Sequence, residues 1–99
     1  MNDDFGFAPP PFKADEALQR LKRDLRELGL SEREGVFERR GIAVARARLE
    51  GPQLAAAVVR APSRNSPQWQ PRPLGSSAAV RDFVAELKKA LRTWGDRDE

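Results

Sequence analysis

The chain has 99 residues, a third of them charged, with a formal net charge of +3. That length allows one domain with a thin core, since small domains bury only about 60–65% of the surface their unfolded chains expose. Cysteine, histidine and tyrosine are all absent, which excludes disulfides, thiolate and imidazole metal sites, and any Ser-His or Cys-His nucleophile.

Catalysis would have to rest on carboxylates, Lys/Arg, five serines or one threonine. No acidic pair is placed to converge, so the expectation is a non-catalytic chain without cofactor or metal. Leu, Ile, Val and Phe total only 22 residues, while alanine contributes 14, which favours closely packed elements over a bulky core. Neither a signal peptide nor a run of 18 apolar residues is visible, so a soluble cytoplasmic protein is expected. Fourteen of the 18 basic residues are arginine, a composition suited to a GC-rich bacterial genome.

Residues 1–12 form a leader in which Pro9, Pro10 and Pro11 impose an extended backbone. Its Asp3-Asp4-Phe5-Gly6-Phe7 stretch has the composition of a simple leader or of an acidic-aromatic docking peptide. The domain proper is expected over residues 13–95, followed by a charged tail, 96–99. Asp15 can cap a first helix on which Leu18, Leu21, Leu25 and Leu28 recur at spacings of three and four. Gly29 suits the left-handed position after that helix, and Leu30 the apolar contact that follows it. Ser31-Glu32-Arg33-Glu34 has capping-box form and predicts one helical turn before Gly35.

A β meander comes next: Val36–Arg40, Ile42–Glu50 and Leu54–Ala61, with turns at Arg40-Gly41 and Gly51-Pro52. A tight second turn pairs Leu49 with Leu54, Ala47 with Ala56 and Ala45 with Val58. Opposed residues share a face, and this small-residue face is where helices would dock. The other face then carries Arg46 and Arg48 beside Phe37, Ile42, Val44 and Val59. Residues 62–75 read as a long proline-rich loop containing Trp69. A second helix starts at Ser76 or Ser77, carries Val80, Phe83, Val84, Leu87, Leu91 and Trp94 along one stripe, and stops at Gly95. The expected fold is thus α+β in the order α-β-β-β-α, a three-stranded antiparallel sheet with two helices packed on one face.

From Arg39 to Arg81 eight arginines face one acid, Glu50. Arginine offers a planar fork suited to phosphate or carboxylate. The candidate binding surface is therefore Arg39, Arg46, Arg48, Arg60, Arg64 and Arg72 with Trp69, and the candidate apolar contact is Phe37, Ile42, Val44 and Val59. Trp69 suits either a lid folded over the core or a contact residue. A protein–protein interaction module, including self-association as a homodimer, is the first expectation. The alternative is nucleic-acid binding by the arginine-rich face, with Trp69 stacking on a base. Over residues 14–94 the expected element order is similar to that of double-stranded-RNA-binding domains, which would imply the second function. The family's Gly-Pro-x-His-type turn is replaced by Arg39-Arg40-Gly41-Ile42, and its lysine cluster by Ser76-Ser77-Ala78-Ala79 with Arg81. Membership is not assigned.

Overall fold

The computed structural model describes residues 12–97, with side chains to Gly95, so the leader through Pro11 and the end of the charged tail lie outside the described residues. Seven elements follow in order: α1 (Ala14–Glu27), β1 (Ser31–Arg33), β2 (Val36–Arg39), β3 (Ile42–Glu50), β4 (Gln53–Val59), β5 (Trp69–Leu74) and α2 (Ser77–Arg97). The strands form one antiparallel meander, β1-β2-β3-β4-β5. The expected three-stranded sheet is therefore corrected to five strands, and the α-β-β-β-α order shared with double-stranded-RNA-binding domains disappears with it.

Helix α1 buries Ala14, Leu18, Leu21 and Leu25, while Leu28, the last leucine of the expected stripe, is the half-buried residue at its C-cap. Its end is closed by two backbone bonds, Gly29 N–H to the Arg26 carbonyl at 2.9 Å and Leu30 N–H to the Leu25 carbonyl at 3.3 Å. Gly29 sits at φ +90°, the left-handed geometry this cap requires, and buried Leu30 lies over buried Leu25. At the start of α2, the Ser76 hydroxyl accepts the Ala79 N–H at 3.1 Å. Gly95 does not end that helix, which continues to Arg97.

The expected pairing of β3 with β4 is present residue for residue: Leu49 with Leu54, Ala47 with Ala56, Ala45 with Val58. These rows extend across the sheet, Phe37–Ala45–Val58–Gln70, Ala47–Ala56–Arg72 and Leu49–Leu54–Leu74. They face the helices. Arg72 reaches Glu86 of α2 with a 2.8 Å bond, and Glu32, opposite Phe37, meets Lys22 of α1 at 3.0 Å. Alanine on this face lets the helix axes approach, and the core forms between the two layers from Leu21, Leu25, Phe37, Leu54, Leu74, Phe83 and Leu87.

Strand β1 replaces the predicted helical turn. Ser31-Glu32-Arg33 turns back at Glu34-Gly35, where both φ values are positive (52° and 83°), so that Arg33 pairs with Val36. Two positive φ values at a two-residue connection are the signature of a tight hairpin. A Cβ on Gly35 would stand 3.0 Å from the Ala47 carbonyl oxygen, so this turn has no room for a side chain.

Strand β5 occupies most of the predicted loop, and its prolines explain why it does not read as a strand. The Arg60 N–H donates to the Gln68 carbonyl at 3.0 Å. Continuing that ladder puts the hydrogen-bonded pairs at Val58–Gln70, Ala56–Arg72 and Leu54–Leu74. Pro71 and Pro73 fall between them, where the backbone nitrogen points away from β4, so neither ring removes a ladder bond. The outward edge of β5 consequently lacks donors at both positions and resists pairing with another strand.

Candidate functional site

Both helices lie over one side of the sheet, leaving the other uncovered. Alternation assigns the uncovered face Arg33, Val36 and Glu38 from β1 and β2, Arg46 and Arg48 from β3, Ala55, Ala57 and Val59 from β4, and Trp69, Pro71 and Pro73 from β5. The Arg46 guanidinium lies over the Trp69 ring, 4.5 Å from its centroid. Ring and guanidinium shelter the second half of β4, where Ala57 and Val59 are buried although no helix covers them.

Beside this pair runs a groove of about 380 Å³, lined by Glu34, Val36, Arg46, Arg48, Ala55, Ala57 and Pro71 among others. Its floor is made of small apolar groups and its rim of arginines. Two ion pairs stand on the same face: Arg33 with Glu38 at 3.6 Å and Arg48 with Glu50 at 3.1 Å. Arg46, by contrast, has no carboxylate partner among the described residues. The face thus holds Arg33, Arg46 and Arg48 against Glu34, Glu38 and Glu50, a balanced set.

The predicted arginine cluster is divided. Arg46 and Arg48 stand on the uncovered face with Trp69 at its edge. Arg39 turns to the other side and donates to the Leu91 carbonyl of α2 at 3.0 Å. Arg72 also points to the helices, where Glu86 accepts from its Nε and Nη2; that carboxylate holds the Arg72 proton more tightly than usual. Arg60 and Arg64 are exposed in the β4–β5 connection. Arg64 shares a hollow of about 420 Å³ with Arg39, Arg40, Ile42, Val44, Pro62 and Ser63.

The predicted apolar contact is overturned. Phe37, Val44 and Val59 are 0%, 1% and 2% exposed, and Ile42 is half-buried. A β-bulge is responsible for part of this. Phe37 pairs with Ala45 but Glu38 with Ala43, leaving Val44 as an extra residue on β3. Past the bulge the alternation inverts. Ile42 comes opposite Arg39 on the helix side, instead of beside Arg46. Phe37 follows Ala45 into the core. Val59 does belong to the uncovered face but lies opposite Trp69, which covers it. Trp69 is half-buried, packed on the core with one side under Arg46.

Among the described residues no group of acidic side chains is arranged to hold a metal ion, and no helix is long and apolar enough to cross a membrane. No protein-family model matches the chain, and neither the curated proteins nor the solved structures compared with it give a match.

Proposed function

We propose that this chain is a non-catalytic binding module that engages a protein partner through its uncovered sheet face. The observation that carries this reading is the Arg46–Trp69 stack beside an alanine-floored groove, on the sheet face that the two helices leave uncovered. Arginine and tryptophan are the residue types that most often anchor protein interfaces. Both ends of the sheet disfavour partner binding by strand addition: β5 is blocked by Pro71 and Pro73, and β1 is three residues long. Recognition therefore falls to side chains on the face.

Nucleic-acid binding has less support. The arginines that would form a basic surface are shared between opposite sides of the sheet, and Arg39 and Arg72 are engaged with α2. Glu34, Glu38 and Glu50 would oppose a run of phosphates along the uncovered face. Placing a photo-crosslinking residue at exposed Arg48, and separately at exposed Lys89 on α2, tests the reading in cells that make the protein. Adducts with another protein from position 48 and not from position 89 are expected. Equal labelling from both positions, or none from 48, would contradict it.

A further inference from the structure

We infer that the uncovered face receives a second copy of this chain, in a two-fold symmetric dimer held by reciprocal Arg46–Glu34 ion pairs; this rests on the binding-module reading above. Both residues are exposed and both line the groove. Neither has an ion-pair partner among the described residues. The other charges of the face are matched within the chain, Arg33 with Glu38 and Arg48 with Glu50. One cation and one anion are left over, in the same groove.

A two-fold interface uses such a remainder. It presents the same patch on both sides, so a contact between two different residues occurs twice. Arg46 of each copy then meets Glu34 of the other, and the charges of the face are matched with none left over. A wholly acidic or wholly basic partner would leave part of this balanced set facing like charge. Arg46 is prepared for the contact. Its π face lies on Trp69, 4.5 Å from the ring centroid, which leaves the N–H edge to take a carboxylate with two parallel bonds. The stack also fixes the side chain in advance, so less conformational freedom is lost on association.

The shape of the face agrees with sheet-on-sheet packing. Between the two charges the groove is lined by Val36, Ala55, Ala57 and Pro71, side chains low enough for two sheets to approach to about 10 Å. Five strands at about 4.8 Å cover about 19 Å, and β4 runs about 23 Å, a footprint of about 440 Å² before side-chain relief. A standard interface takes about 800 Å² of each partner, so this dimer is a weak one, with a dissociation constant in the micromolar range or above.

Sedimentation equilibrium on the full-length chain provides the test. A monomer–dimer equilibrium is expected. Because symmetry doubles each contact, Arg46→Glu and Glu34→Arg should each weaken the dimer at least about tenfold. An equimolar mixture of these two variants should dimerise again, since each glutamate then faces an arginine, and so should the chain carrying both changes. Glu34→Arg leaves the Trp69 stack in place, so its effect reads the ion pair alone. Arg92→Glu, on the exposed side of α2, should change nothing. Circular dichroism confirms that each variant is folded. A dimer indifferent to both charge reversals would overturn the inference, as would one that each reversal weakens but the mixture does not restore. A monomer at about 1 mM would overturn it as well. In that case a different protein crosslinked from position 48 would leave the binding face standing, and no adduct there would remove both readings.

Discussion

Replacing Phe37 by alanine separates a core residue from a contact residue. The ring is fully buried, opposite Ala45 in a row that faces the helices. Removing a ring from such a site loses its transfer free energy and leaves a cavity, together costing about 3–5 kcal/mol. A chain of this size has a total stability of about 5–15 kcal/mol, so one substitution would remove a large part of it. At roughly 4–8 °C per kcal/mol for a domain of this length, the melting temperature should fall by well over ten degrees. Urea unfolding followed by circular dichroism measures the loss directly, with the slope of the transition expected to stay the same. A loss below about 1 kcal/mol, the scale of an ordinary surface substitution, would place the ring outside the core and refute the bulged register.

Three other variants probe the same framework. Gly35→Ala should destabilise by about 1–3 kcal/mol in a denaturant titration, since it combines a positive φ with a Cβ crowding the Ala47 carbonyl. Arg72→Ala breaks the half-exposed pair with Glu86 and should cost only about 0.5–1 kcal/mol, less at high salt, as a double-mutant cycle with Glu86→Ala would read. Replacing Pro71 and Pro73 together by threonine restores two outward N–H groups on β5. Light scattering should then show more association than in the parent chain, with little change in melting temperature.

Much of this fold can be read from the chain where period and capping agree. Leu18, Leu21 and Leu25 mark α1, Gly29 and Leu30 close it, and the Gly51-Pro52 turn sets the register of β3 on β4. Strand β1 is hidden because Ser31-Glu32-Arg33-Glu34 is also a good helix start, and pairing with β2 decides between the two. Strand β5 is hidden by its prolines, whose tolerance depends on being at a sheet edge with the right parity, a property of pairing and not of the segment. The bulge at Val44 has no local signal, yet it moves Ile42 to the opposite side from Arg46. The arginine cluster misleads for the same reason: proximity in sequence places Arg39, Arg46 and Arg72 together, while strand alternation and the bulge put Arg46 on one face and the other two against α2. The Arg46–Trp69 stack joins two predicted site residues whose contact needs β5 to be a strand, so its parts are legible and their meeting is not.

In the proposed function, the partner binds on the uncovered sheet face. A ¹⁵N–¹H correlation map of the full-length chain, titrated with the protein captured by crosslinking from position 48, is the decisive measurement. Shifts should concentrate on Val36, Arg46, Arg48, Ala55, Ala57 and the Trp69 indole, leaving the outer sides of both helices unchanged. Shifts confined to the hollow around Arg40, Ser63 and Arg64, or to the one between Lys13, Arg20 and Val80, would contradict it.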